Sequence, residues 1–503
     1  MIGPLAWTIV APLAFAVLSL LPPLHRLARW LAVLGSALTL AIGITTFASF
    51  VGRPGADFRF VESHVWSASF GANFAFGVDG IGAVMLLLSG LVTLLATIAA
   101  FGEGKQPHVY HALVLLLLAA MNAVFVTTDF LVFYVAWELL LIPMLALIGI
   151  WGGEQRRYAA MKFFVYTLAG SVLMLGLLIA LWNVMPAGTA RSFDLQKLAA
   201  LAATWQSTRF MQVSLAGFGF VAVLVACLVK LPAVPLHTWL PHAHVQAPTA
   251  VSVLLAGVLL KLGVYGLYRI AWPLFPAEAI AWSPALGVLA VIAILYGAWT
   301  ALGQSDLKRL VAYSSVSHMG FCLLGLTSGT SAGATGGMVQ AFTHGLSSSA
   351  LFLLVGVVYD RAHHRRVDGF GGLARPMPRF AWLLLFVSLA SAGLPALAGF
   401  VGEFMVFAGG FTARGIFPAL TAAAVVSVVL SAAYLLWTVK RVAYGPLANA
   451  EHAEFPDLDL RERFTIGVFC VLLLLFGLWP APLIDALRAP CEAMLAAVHG
   501  GAR

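Results

Sequence analysis

The chain has 503 residues, of which 61% are apolar and only 10% charged, against about 25% charged residues in a typical soluble domain. That shortfall excludes a water-soluble globular protein and makes lipid the main solvent. The net charge of +8 does not imply nucleic acid, because the basic residues do not cluster with aromatics on a soluble module and the loops of a membrane protein carry the same excess.

The first apolar run, from Ile2 to Leu21, has no basic residue ahead of it; the first is Arg26. A cleaved signal peptide wants a basic leader, so this run reads as a membrane helix. A spanning helix needs about 20 mostly apolar residues. By that rule about fourteen transmembrane helices are expected, over 4–21, 28–50, 79–101, 109–127, 129–150, 160–184, 212–231, 249–271, 283–302, 309–327, 336–359, 380–408, 416–439 and 464–485. The runs are continuous, not the alternating segments of roughly ten residues that build a β-barrel. The expected fold class is therefore an all-α polytopic membrane protein, with residues 1–503 forming a single membrane domain.

Alternate loops divide the basic residues seventeen against nine, and the remaining two of the 28 are Lys230 and Lys261, inside runs. The positive-inside rule then places both termini outside the cytoplasm, on the periplasmic side of a bacterial inner membrane. Loops 51–78, 185–211 and 440–463 are mixed in charge and too short to fold as domains. The most basic loop, DRAHHRRVDGFGGLARPMPR, fits the same topological bias, with a docking surface as the other reading.

Two runs are interrupted by proline, at Leu231-Pro232 and at Leu394-Pro395. Proline removes a helix hydrogen bond and clashes with the preceding turn. Broken helices in corresponding positions mark transporters built from repeats. The breaks lie five runs apart, and an odd offset inverts topology, so helices of about 109–271 and 283–439 are expected to form two inverted five-helix repeats.

Six ionisable residues lie near mid-run or beside a break: Glu138, Lys230, Lys261, His318, His344 and Glu403. Burying a charge in hydrocarbon costs about 2.5–3.5 kcal/mol on insertion scales, so a chain this apolar is expected to use them. Snorkelling of a lysine to the headgroups suits helix ends, not Lys261, about twelve residues into its run. For His318 a hydrogen-bonded packing role stands beside a functional one. Burial lowers a lysine's proton affinity and a nearby carboxylate restores it, so a Lys–Glu pair of variable separation is a protonation switch. Histidines between such groups complete a relay along the mid-plane.

Other signals point elsewhere. Asp306, Lys308 and Arg309 read as a solvated helix start capped by Ser305 or Asp306. His237, His242 and His244 flank the first break without the acid or thiol that would complete a metal site. Cys227, Cys322, Cys470 and Cys491 are isolated, which excludes an iron–sulfur site in this chain. Phosphate-binding glycine loops and nucleophile elbows are missing from the sequence.

The segments FYVAWELLLIPM, KFFVYT, KLPAVPLHTWLPHAHVQAPTAVSVLLAGVLLKLGVYG, SDLKRLVAYSSVSHMGF, HGLSSSALFLLVG and GLPALAGFVGEF resemble the antiporter-like subunits of respiratory complex I and of Mrp-type cation/proton antiporters, over about residues 70–445. Glu403, where sister L and N chains usually carry lysine, the SVSHMGF string and the length resemble the M-type chains of bacterial NADH:quinone oxidoreductase. The resemblance implies a proton-translocating membrane-arm subunit without redox chemistry of its own. Glu138 would match the family's fifth-helix glutamate, Lys230 the lysine it modulates, Lys261 the bridging lysine, His318 and His344 the relay histidines, and Glu403 the terminal acid. Implied partners are L- and N-type chains, small membrane subunits and the lipid bilayer, with FMN, iron–sulfur clusters and quinone held in partner subunits. One departure is that the family usually has Asp at the position of His242 and Gly at that of Thr238. A Na+(K+)/H+ antiporter subunit and a membrane-bound hydrogenase pump subunit are the alternatives.

Overall fold

Backbone groups in hydrocarbon have no partner but each other, and these apolar runs satisfy them as helices. The computed structural model describes residues 3–185, 191–210 and 212–501. The chain opens with α1 (Pro4–Leu20) and α2 (Ala28–Val51). Loop 52–79 then folds as a hairpin of β1 (Arg59–Ser67) and β2 (Ala72–Val78), paired antiparallel. It continues through α3 (Gly80–Ala99), α4 (Pro107–Val126), α5 (Phe130–Trp151) and α6 (Arg156–Val184), then two short helices, α7 (Leu195–Ala200) and α8 (Ala202–Ser207). The first broken pair is α9 (Leu215–Lys230) with α10 (Trp239–Gln246). After it come α11 (Thr249–Leu274), α12 (Pro276–Leu302), α13 (Leu307–Thr327) and α14 (Ser331–Ala362). The second broken pair is α15 (Pro378–Ser391) with α16 (Ala398–Thr412); α17 (Phe417–Ala443), α18 (Leu460–Leu478) and α19 (Ala481–Gly501) complete the chain.

Among the described residues, 10 helices are long and apolar enough to cross a membrane, or 11 if the bent pair α18–α19 counts as one. The other expected runs differ. Those over 4–21 and 212–231 form helices of 17 and 16 residues, and 380–408 divides at residues 392–397 into α15 and α16. The run over 464–485 turns by 69° between α18 and α19, because Pro480 cannot continue a helix. The hairpin departs from the all-helical expectation. Its strands are rich in aromatic and β-branched residues (Phe60, Val61, Val65, Trp66, Phe74, Phe76 and Val78), the types that favour strands. It docks on the start of α5, where Thr127 Oγ1 donates to the Ala75 carbonyl (3.1 Å) and Asn73 N donates to Asp129 Oδ2 (2.9 Å).

Burial separates the helices into an inner and an outer set. The apolar windows of α11 and α14 are wholly buried in the protein, whereas only a third of those in α2 and α17 is covered, leaving apolar side chains such as Trp30, Val426 and Val429 exposed to lipid. The helices richest in polar residues, α13 and α14, pack against each other, and α14 also packs against α11 and α16. Polar side chains thus collect on the inside of the bundle, where they can pair.

The arginines at the end of α14 and just after it are tied to neighbouring groups. Arg361 grips the Glu462 carboxylate through both terminal nitrogens (2.9 and 2.8 Å), Arg365 pairs with Asp306 (3.3 Å) and donates to the Val245 carbonyl (2.8 Å), and Arg366 pairs with Asp368 (2.9 Å). These arginines fasten loops to helix ends, which leaves less free charge for docking than the sequence offers.

Candidate functional site: a buried polar axis

Glu138 sits just before a kink in α5. Pro143 has no N–H for the carbonyl of Leu139 and its ring crowds it, so the regular ladder breaks between Leu139 and Leu141. The proline stands in the sequence five residues after Glu138, a signal not used in reading it. Glu138 Oε1 is buried without a hydrogen-bond partner. Lys230 ends α9, where Leu231 and Pro232 interrupt the helix. Its ammonium donates to the Trp137 carbonyl (3.2 Å) and lies 3.9 Å from the centre of the Trp137 ring, so a cation–π contact helps hold the charge. No ion pair joins Glu138 to Lys230 among the described residues; the lysine is held by Trp137 instead.

Lys261 lies in α11 between two wider turns, Leu255–Leu259 and Leu267–Ala271, in which the backbone bonds skip to the fifth residue. Such bulges gather at functional sites. Here the turn offers the Ala256 carbonyl to the Lys261 ammonium. The same nitrogen lies 2.8 Å from His344 Nδ1. On its other edge, His344 Nε2 meets Ser315 Oγ at 3.2 Å, and its ring centre is 5.2 Å from that of His318. His318 Nδ1 is 3.4 Å from Glu403 Oε1. Lys261–His344 and His318–Glu403 are thus two polar contacts joined by the packed rings of the two histidines, each residue at most 5% exposed.

The second break shapes the end of this line. Gly393 has φ +78, a conformation glycine adopts without strain, and a Cβ there would lie 2.6 Å from Glu403 Oε2. The broken helix thus brings backbone against the carboxylate where a continuous helix would place a side chain.

Three residues of the axis lie outside the six expected from sequence. Gln340 Nε2 is 3.1 Å from His318 Nδ1, Ser391 Oγ is 3.4 Å from His318 Nε2, and Ser315 contacts His344. Gln340 is one turn before His344, and that spacing was the available signal. Lys308 corrects an expectation. Asp306 does cap α13, accepting from Arg309 N (3.0 Å), but Lys308 is only 2% exposed and donates to the Ala247 carbonyl (2.7 Å). It lies in the wall of a cavity of about 490 Å³ also lined by Glu103, Gln246, Asp360 and Glu462.

The three loop histidines go to separate aromatic neighbours. His244 stacks on Phe352 (4.3 Å), His237 packs on Tyr296 (5.2 Å), and His242 on Tyr158 (5.6 Å), with its Nδ1 3.4 Å from Lys162 Nζ.

An axis of this kind, set between two helix breaks, can hold and pass protons, since every member is a donor or acceptor whose protonation alters that of its neighbour. Comparison with known proteins agrees with this architecture. The family model described as NADH:quinone oxidoreductase/Mrp antiporter, TM matches residues 127–431. The NADH-quinone oxidoreductase subunit M of Rhodobacter capsulatus is 40% identical over 474 residues, covering 92% of this chain and 90% of that protein. The F(420)H(2) dehydrogenase subunit M of Methanosarcina mazei is 36% identical over 500 residues, 98% of each chain. A chain in the structure of respiratory complex I from Thermus thermophilus with bound NADH superimposes with a TM-score of 0.86 at 32% identity, covering 98% of this chain and 99% of that one. The chain belongs to the NADH:quinone oxidoreductase/Mrp antiporter transmembrane family.

Proposed function

We propose that this chain is a proton-translocating membrane-arm subunit of an NADH:quinone oxidoreductase, carrying protons along an axis of Glu138, Lys230, Lys261, His344, His318 and Glu403. The observation that carries the reading is the buried series from the Lys261 ammonium to His344, across the packed rings of His344 and His318, to Glu403. Chemical energy reaches the axis from outside, since quinone reduction, FMN and iron–sulfur clusters belong to partner subunits. Neighbouring L- and N-type chains and small membrane subunits transmit it as shifts in the separation of Glu138 and Lys230. Drawing the carboxylate away weakens the lysine's hold on its proton, which then moves toward Lys261.

The five spans α4, α5, α6, α9–α10 and α11, and the five spans α12, α13, α14, α15–α16 and α17, each have their fourth broken, which supports the assignment of two inverted repeats. The cavity beside Lys308 lies among the basic loops, the cytoplasmic side by the positive-inside rule, with both termini periplasmic and the chain in a bacterial inner membrane. The test is Lys230→Ala and Glu138→Ala in the intact complex: both abolish proton pumping and slow coupled quinone reduction while assembly persists. Normal pumping in both removes the proposal.

A second reading keeps the pump and changes the electron donor. It is favoured by the subunit of F(420)H(2) dehydrogenase that matches nearly end to end. Mass spectrometry of the complex purified through this chain separates the two, by the presence or absence of NADH-binding subunits. The Mrp-type antiporter alternative is weakened by Glu403, where those chains usually have lysine.

A further inference from the structure

His318 Nδ1 faces two groups with opposite demands. Gln340 Nε2 approaches it at 3.1 Å and Glu403 Oε1 at 3.4 Å. An amide NH2 only donates, so its bond requires a lone pair on Nδ1 and the ring proton on Nε2, beside Ser391 Oγ. A carboxylate only accepts, so its bond requires the proton on Nδ1. One ring state cannot satisfy both. The amide itself is half-used: Gln340 Oε1 is buried without a partner, turned toward Gly402, where a Cβ would lie 2.5 Å from it. Rotating the amide about its last bond exchanges O and N with little other movement. It would bring Oε1 to Nδ1 as an acceptor.

We infer that Gln340 is a positioning residue whose amide turns over with the protonation state of His318, and so gives the His318–Glu403 transfer a direction. This rests on the axis proposed above. With Oε1 at Nδ1, the imidazolium keeps its Nδ1 proton pointed at both oxygens. The Nδ1–H bond breaks, an O–H bond forms on Glu403, and His318 is left neutral with its proton on Nε2. The amide then turns its NH2 to the emptied Nδ1 lone pair, and the proton cannot return to that atom until the amide reverses. Gln340 and His344 are one turn apart on α14, so any shift of that helix moves both. The groups facing His318 are Glu403 from α16, His344 and Gln340 from α14, Ser391 from α15 and Cys322 from its own helix, whose thiol donates to the His318 carbonyl at 3.7 Å; Lys261 follows behind His344.

The experiment measures protons pumped per electron pair by the intact complex in vesicles across pH, for Gln340→Met, Gln340→Glu and Glu403→Gln, with assembly checked on native gels. Methionine fills the same shape without either polar atom, and Gln340→Met is expected to keep assembly while the pumping ratio drops. Gln340→Glu places a pure acceptor at Nδ1 when ionised and a donor–acceptor when protonated. It is expected to lose pumping at neutral pH and regain it in mild acid, a recovery the unsubstituted complex does not show. If both Gln340 variants pump with an unchanged pH profile while Glu403→Gln is defective, the inference is overturned and the axis stands. If Glu403→Gln also pumps normally, the axis itself falls and the inference with it.

Discussion

The Lys261 ammonium nitrogen lies 2.8 Å from His344 Nδ1, with Lys261 fully buried and His344 at 2% exposure. At this distance the two cannot both carry charge without direct repulsion, so the pair holds at most one excess proton. If it sits on the lysine, His344 accepts at Nδ1 and donates from Nε2 to Ser315. If it passes to His344, the lysine becomes the acceptor. The geometry of the contact allows a proton to pass in either direction.

That reading predicts unequal effects on its two sides. Replacing His344 with Gln removes a group that can take up a net proton, and should slow transfer by about 100-fold, the lower range for a positioned acid–base group. Ser315→Ala removes only an orienting hydroxyl and should leave most of the pumping rate. Flash-started proton release from the reconstituted complex resolves the difference.

The second helix break offers a steric test. Gly393→Ala forces a left-handed conformation on alanine, at about 1–2 kcal/mol, and places Cβ against Glu403 Oε2. The expected outcome is a complex that assembles in lower yield and pumps poorly. Gly445 also has positive φ, but nothing lies within 4 Å of its Cβ position. Gly445→Ala should share the strain and spare the pumping. Pumping ratios normalised to assembled complex compare the pair.

The loop fastening gives a stability prediction. Arg361 is bidentate on Glu462 and also donates to the Pro456 carbonyl (2.7 Å). Hydrogen bonds to charged groups are worth about 2 kcal/mol. Arg361→Ala should expose the segment before α18 to protease, and Arg361→Lys should not restore protection, since lysine lacks the two-pronged geometry. Limited proteolysis of the purified complex reads this directly.

Sequence reading found the parts of the site that are anomalies in themselves. A lysine or glutamate amid twenty apolar residues, or a proline in a long run, stands out without knowledge of its neighbours. What it missed depends on long-range packing. Lys308 follows a capping aspartate and looks solvated; it is buried because the loop at Ala247 packs over it. Gln340 is an ordinary polar residue in the sequence and gains its place only when α13 brings His318 beside it and α16 brings Glu403. The hairpin at 59–78 resembles a mixed-charge loop until its strands dock on Thr127 and Asp129. The kink at Pro143 beside Glu138 is visible in the sequence, whereas the capture of Lys230 by Trp137 depends on packing.

If protons cross through the buried line that Lys261 enters, removing the lysine's exchangeable proton must lower pumping. The most direct measurement is the number of protons pumped per electron pair by the reconstituted complex carrying Lys261→Met, which keeps the length of the side chain and removes its proton. A lower ratio together with slowed, uncoupler-insensitive quinone reduction in a fully assembled complex is expected. An unchanged ratio at unchanged turnover would contradict it.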